Sequence, residues 1–400
     1  MNYGKTILNI LKWVGITLLG IIVLFGAILA VNTDFSSPED TATLIQKKAD
    51  KGGITGISIA MIKDNEVVST YQAGLADVEN NRPVTADTTF QIASVSKTVT
   101  ATAVMQLYER GLLDLDDDIN QYLPFQIIHP LYPQSPITFK MLLSHTAGLN
   151  DNWEVYDSFY TIDSGGGDSD VSLEAFVQGY FVKDGQWYDP QKNFTTDAPG
   201  QEYQYSNSGY ALLGYLAERI SGESFPEYCK TNIFVPLQME HTTWLLEDTD
   251  ISRLAVPYDE SDNALPHYSF ATYPDGALKT TPEEYAHLLI AMMNDGQYKN
   301  KTILQPQTVA EMLTPVAREG KQALAWDYAV LEELMLGKVN DGVIIGHTGG
   351  DPGVCTMAVF NPDNKTGLVI FMNKGLELDL KILNLNLLFR RLLVDAGLVN

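Results

Sequence analysis

The stretch FQIASVSKTVTA, residues Phe90–Ala101, decides how this chain is read. Val99, Ala103, Val104, Leu107 and Leu112 recur at helical spacing through and beyond it, with a stop near Gly111. If Ser94 opens that helix, Lys97 lies one turn on and faces the same side. An amine beside a hydroxyl can take or share its proton, and the positive end of a helix favours the resulting alkoxide. Alone, a Ser-x-x-Lys is a weak signal, because helix starts attract serine as an N-cap.

Two other segments carry similar potential. Tyr205-Ser206-Asn207 stands ahead of an apolar helix predicted over Gly209–Ile220. A phenol can act as a general base if a nearby cation such as Lys97 draws its pKa down from about 10. Asn207 offers a donor and an acceptor, which suits gripping a substrate amide. His347-Thr348-Gly349-Gly350 ends a predicted β run, where glycines allow close backbone approach and N–H groups can line an oxyanion site. A turn with a helix cap, and a β-bulge with an exposed histidine, are the plainer readings of these two segments.

Around these segments the chain reads as α+β. Thr55–Lys63 and Glu66–Gln72 form a hairpin about an Asp64-Asn65 turn, after a surface helix over residues 36–52. Residues 113–200 are turn-rich and irregular, and the Gly165–Gly167 run, with no Lys-Ser/Thr after it, reads as a flexible loop rather than a phosphate cradle. A second amphipathic helix is predicted over Thr281–Asn294. Strands return at Gly342–His347, Val354–Phe360 and Gly367–Met372, before a last helix over Asp379–Val394. Strands at both ends with helices between predict one antiparallel sheet, flanked by helices and carrying a mostly helical insertion.

The 400 residues hold 26 Lys and Arg against 50 Asp and Glu, a net charge of −24, which argues against nucleic acid as a partner. The two cysteines, Cys229 and Cys355, are too few for a disulfide framework or a four-thiolate metal site; they read as one bridge or as buried small hydrophobes. Trp13–Val31 is an uncharged apolar run near the ~20 residues that span a bilayer, preceded by Lys5 and Lys12 and followed by no basic residue before Lys47. The positive-inside rule makes residues 1–34 a cytoplasmic tail and transmembrane anchor, with residues 35–400 outside the cytoplasm. A cleaved signal peptide is the rival reading, although cleavage after Ala30 would need a small residue where Ile28 stands.

In their order, Ser94-x-x-Lys97, Tyr205-x-Asn207 and His347-Thr348-Gly349 resemble the signature of the serine β-lactamase and penicillin-binding protein superfamily, nearest to its class C β-lactamase-like branch with DD-peptidases and esterases. The flanking text ITFKMLLSHTAGL (137–149), PGQEYQYSNSGYALLGYLAERISG (199–222) and TILQPQTVAEML (302–313) resembles that branch too, over roughly residues 38–395. The resemblance implies that Ser94 is the acylated nucleophile, Lys97 its proton partner and Tyr205 the general base and acid. It implies that Asn207 orients the substrate amide, that the N–H groups of Ser94 and Gly350 form the oxyanion hole, and that Thr348 bonds a substrate carboxylate. It implies neither cofactor nor metal. The expected substrate is a small molecule or peptide, such as a cell-wall D-Ala-D-Ala stem, a D-amino-acid amide or peptide, a carboxylic ester or a β-lactam. His347 stands where many relatives have lysine. A neutral imidazole anchors an anionic carboxylate less well, so peptidase or esterase activity is favoured over β-lactamase activity.

Other constellations fail. There is no Gly-x-Ser-x-Gly elbow and no His-Glu-x-x-His, and the six histidines are scattered. His145, in Ser-His-Thr-Ala-Gly, reads as a satisfied buried polar group rather than a base. Trp153, Tyr156, Tyr160, Trp187 and Tyr188 read as core, some of them lining an acyl cleft. The alternative from another class is a catalytically silent envelope scaffold of the same fold, which has no reason to keep Ser94, Lys97, Tyr205 and Asn207 together.

Overall fold

The structure, a computed structural model, describes residues 40–48, 53–333, 343–375 and 380–399. In chain order its main elements are α1 (Thr41–Lys48), β1 (Gly56–Lys63), β2 (Glu66–Asp77), β3 (Arg82–Pro83), α2 (Lys97–Glu109), α3 (Leu173–Phe181), α4 (Asn207–Ser221), α5 (Pro282–Met293), α6 (Pro306–Leu313), β4 (Ile345–Asp351), β5 (Val354–Asn361), β6 (Thr366–Met372) and α7 (Leu380–Asp395). The apolar segment 13–31 lies outside the described residues. Among those described, no helix is long and apolar enough to cross a membrane.

β1 explains the sheet. Its sequence GISIAMIK is apolar on both faces, and all but the last residue are buried. Such a strand must be central and covered twice. It pairs antiparallel with β2 on one side and with β6 on the other, from Ile57 opposite Met372 to Lys63 opposite Thr366. The sheet order is therefore β3-β2-β1-β6-β5-β4, joining strands from the two ends of the chain. Asp64 (φ 53°) and Asn65 (φ 62°) both take left-handed backbone at the hairpin turn, which matches the right-handed twist of the strands.

Alternation along the strands sends residues to two cores. Ile57, Ile59, Leu368 and Ile370 pack with Leu44 and Ile45 of α1 and with Leu388, Phe389 and Leu392 of α7. Ala60, Ile62, Val369 and Phe371 face the larger core, where the rings of Phe371 and Tyr285 of α5 lie edge to face at 5.9 Å. Truncating Ile59 or Ile370 to Ala, both 0% exposed, is expected to destabilise by about 2–5 kcal/mol.

The helical insertion builds on α2 and α4. Ser206 caps α4 by accepting from Gly209 N–H, and Gly222, left-handed at φ 76°, ends it. The region expected to be irregular, 113–200, contains α3. Ser172 caps that helix, and Leu173, Phe176, Val177 and Tyr180 form its buried face. Its Gly165–Gly167 turn is tied down by bonds from Gly166 N–H to Thr161 O and from Gly167 N–H to His267 O. Cys229 and Cys355 are both free thiols, so the single bridge considered from sequence is not formed.

Candidate active site

Ser94 does not open α2. It sits in a 3₁₀ turn, Ala93–Ser96, that feeds the helix, and Ser96 takes the N-cap position. Ala93 adopts left-handed backbone at φ 47°, a strained state that persists only where its surroundings impose it. They do so here. Ser96 Oγ accepts from Leu278 N–H at 3.2 Å, and Ile92 O accepts from Thr356 Oγ–H at 2.8 Å. Gly349 of β4 presses on the turn, where a Cβ would stand 2.5 Å from Ile92 O and 3.0 Å from Ala93 Cβ. Only glycine lets the strand come this close. The His347–Gly350 motif thus lies within β4, which runs on to Asp351, rather than at the end of a β run.

Lys97 is 0% exposed, and its ammonium donates to Ser94 Oγ (3.0 Å), Asn207 Oδ1 (2.7 Å) and the carbonyl of Asp275 (2.7 Å). Three donors meet three acceptors, which suits the protonated amine. Burial alone would lower its pKa. The facing oxygens of Tyr205 and Asp275, the latter carboxylate 3.9 Å away, outweigh burial and raise it. Lys97 is therefore a fixed cation, placed where it can steady negative charge on Ser94.

Tyr205 lies in hydrogen-bonding reach of Ser94 and Lys97, with the Lys97 nitrogen 5.1 Å from its ring centroid. The expectation of a lowered phenol pKa is not met. Burial raises it, and Lys97 and Ser94 only partly offset that, so the resting site holds a neutral phenol. His145 stacks under this ring at 4.4 Å, with 29° between the planes. It is not fully satisfied: Nδ1 accepts from Ser206 N–H at 3.1 Å, but the buried Nε2 has no hydrogen-bond partner.

His347 Nδ1 donates to Thr348 O at 2.6 Å, which leaves Nε2 as an acceptor in the neutral ring. Burial and then Lys97 lower its pKa to about 4, so this position presents no cation at pH 7. Ser94, Tyr205, His347, Thr348 and Gly350 line one open cleft, together with Tyr203, Gln322, Asp327 and Val330. A Cβ at Gly350 would meet nothing within 4 Å, so its backbone faces open space beside Ser94.

The structure adds acids that the motifs did not point to. Asp275, 4% exposed, accepts from Tyr156 Oη–H and stands beside Lys97. Burial, against Lys97 and Tyr156, pushes its pKa up to about 6. Asp351 accepts from Tyr160 Oη–H at 2.7 Å, and burial, with the charge of Asp275, pushes it up to about 7. Asp151 accepts from Asn207 N–H (2.8 Å), Asn207 Nδ2–H (3.0 Å), Ser208 N–H (2.9 Å) and Ser208 Oγ–H (2.7 Å), which fixes the amide of Asn207 against Lys97. A sequence signal existed for Asp275: it is the only acid in the aromatic-rich stretch Ala264–Leu278.

The family model described as Beta-lactamase matches residues 41–387. Protein flp of Staphylococcus aureus (strain MRSA252) is 24% identical over 349 residues, covering 85% of this chain and 64% of that protein. The chain thus spans less than two thirds of the length of that curated relative. Penicillin-binding protein 4* of Bacillus subtilis (strain 168) is 25% identical over 361 residues, 83% of this chain and 71% of that protein. The crystal structure of D-amino acid amidase from Ochrobactrum anthropi SV3 superposes with a TM-score of 0.68 at 23% identity, over 89% of this chain and 100% of the amidase.

Proposed function

Because the chain belongs to the beta-lactamase family, we propose that it is a serine hydrolase that cleaves amide or ester bonds through an acyl-Ser94 intermediate. The observation that carries this reading is the Lys97 ammonium shared between Ser94 Oγ and Asn207 Oδ1. In acylation, Ser94 Oγ bonds to the substrate carbonyl carbon. The serine proton passes to Tyr205 as the phenol hands its own proton to the leaving group, and the carbon–leaving-group bond breaks. The oxyanion is held by the N–H groups of Ser94 and Gly350. Water then attacks the ester, Tyr205 relays its proton back to Ser94, and the acid departs.

The neutral His347 weighs the substrate choice toward a D-Ala-D-Ala-type peptide, a D-amino-acid amide or peptide, or a carboxylic ester, and away from a β-lactam anchored by its carboxylate. The amidase named above, and a class C beta-lactamase of similar fold, mark the two ends of that range. Residues 13–31 serve in the same proposal as a membrane anchor that holds the hydrolase domain outside the cytoplasm.

Intact-protein mass spectrometry of the full chain tests the reading, with benzylpenicillin and p-nitrophenyl acetate as acyl donors and Ser94→Ala as control. The expected result is Ser94-dependent ester turnover, with penicillin forming at most a slow or lasting adduct. Rapid consumption of penicillin without an adduct would make it a β-lactamase. Silence toward every acyl donor would return the protein to the scaffold reading.

A further inference from the structure

We propose that His145 is the positioning residue for Tyr205, holding its phenol in register with Ser94 and Lys97; the proposal rests on the serine-hydrolase reading above. One residue grips Tyr205 from three directions. The carbonyl of His145 accepts from Gln204 N–H at 2.7 Å. Its Nδ1 accepts from Ser206 N–H at 3.1 Å. Its ring lies under the phenol itself at 4.4 Å. Both chain neighbours of Tyr205 and one face of its ring are therefore fixed by the same side chain and its backbone.

The site of the grip is itself held under strain. His145 has φ 58°, in the left-handed region that few residues other than glycine enter, with asparagine, aspartate and histidine enriched among those that do. Its loop is pinned by bonds from Thr146 N–H to Met141 O and from Gly200 N–H to Thr146 O, while Tyr210, whose ring lies 5.0 Å from the imidazole, donates to Leu143 O. An acceptor at Nδ1 leaves the proton on Nε2, and that buried nitrogen has no hydrogen-bond partner. Asparagine would tolerate this backbone and accept from Ser206 N–H but has no ring to lie under the phenol, and phenylalanine would supply a ring but leave Ser206 N–H unpaired. Histidine alone offers the acceptor and the flat face together, the first holding the backbone of Ser206 next to Tyr205 and the second lying under the Tyr205 ring.

The titratable groups around the imidazole keep it uncharged. Burial acts first and the positive charge of Lys97 second, with the neighbouring His347 ring opposing protonation only where it is itself charged, and together they hold it well below the ordinary histidine value. The remaining neighbours are the phenols of Tyr203, Tyr205 and Tyr210. A neutral ring can lie under Tyr205 without competing with Lys97 for the phenol oxygen.

The test is a double-mutant cycle on the full-length protein, reading kcat and KM for p-nitrophenyl acetate and thermal midpoints for every variant. His145→Asn keeps an acceptor and suits the backbone; His145→Phe keeps the ring. Each is made alone and with Tyr205→Phe. General acid–base groups contribute about 10²–10⁴-fold, so loss of positioning is expected to lower kcat by about tenfold or more with KM within about twofold. The decisive expectation is that neither change slows Tyr205→Phe further, since His145 acts through that phenol. Fold-losses that multiply, or a kcat within about twofold of wild type in both variants, would overturn the proposal. So would failure of both variants to fold, which would make His145 structural; if one folds, it carries the cycle alone. Absence of Ser94-dependent turnover in the wild type would instead sink the hydrolase reading and this inference with it.

Discussion

Replacing Asp275 by asparagine keeps the side-chain shape and removes a carboxyl that the fold holds against its preference for water. Asp275 is 4% exposed, and its pKa rises from the ordinary 3.8 to about 6, because burial outweighs the attraction of Lys97 and the bond from Tyr156. The rise corresponds to about 3 kcal/mol. Its sign follows from the direction: the folded state binds the proton more tightly than the unfolded one. The group's contribution is whole below about pH 4 and is lost as pH climbs through about 6. Wild type should therefore lose about 3 kcal/mol relative to Asp275→Asn between pH 4 and 7. Asp351, pushed up to about 7 partly by Asp275, shares this titration, so the measured step belongs to the pair.

Thermal midpoints of wild type and Asp275→Asn, measured from pH 4.5 to pH 8, test this. About 2 kcal/mol of that loss falls above pH 4.5, so at roughly 2 °C per kcal/mol for a chain of this size the variant should gain on wild type by about 4 °C across the interval. Carboxylates lowered by exposed turns, such as Asp117 and Asp250, shift both proteins alike and cancel in the difference. A gap that stays constant with pH, or one that closes as pH rises, would refute the reasoning. Activity should move oppositely to stability, because the variant takes a negative charge from beside Lys97 and loosens its hold on the proton.

Three further outcomes follow from the same geometry. His347→Lys should speed benzylpenicillin acylation of Ser94 at limiting concentration by about tenfold or more, the worth of one charged hydrogen bond, read by intact mass, and leave steady-state turnover of a neutral ester within about twofold. Gly349→Ala should destabilise by about 1–3 kcal/mol and abolish Ser94 acylation, since its Cβ meets Thr356 Oγ1 at 2.3 Å and Ile92 O at 2.5 Å, whereas Gly350→Ala, with nothing within 4 Å, should keep the wild-type thermal midpoint. Asp151→Asn, which sets an NH₂ group among the donors of Asn207 and Ser208, should cost about 1–3 kcal/mol in denaturant titration and lower kcat.

The residues that read directly from sequence are those whose partners are close along the chain. Ser94 and Lys97 lie three apart on one turn, Tyr205 and Asn207 flank the cap of α4, and the strands β1, β5 and β6 announce themselves by mostly apolar, β-branched runs. What escaped reading depends on distant segments. Asp275 reaches Lys97 across 178 positions, and Asp151 reaches Asn207 across 56. No local pattern records such meetings. The Tyr205 phenol departs from its expectation for a related reason: a sequence shows that a cation can be near, but only the packed site shows that burial outweighs it. The helix α3 was legible, with Ser172 before Leu173, Phe176, Val177 and Tyr180, but lay hidden among the turns on either side.

A single constraint ties the site together. With its three bonds made to Ser94, Asn207 and Asp275, the Lys97 ammonium has no lone pair with which to take the serine proton. With Tyr205 buried and neutral, no standing phenolate takes it either. In the proposed reaction the proton therefore leaves Ser94 only if Tyr205 releases its own in the same step, which couples attack at the carbonyl to protonation of the leaving group. Such a relay tolerates little movement of the phenol, because both transfers depend on the same oxygen. That is the physical reason for so rigid a surround: a strained Ala93, a glycine-tight contact at Gly349, an Asn207 locked by Asp151, and a histidine under the tyrosine ring.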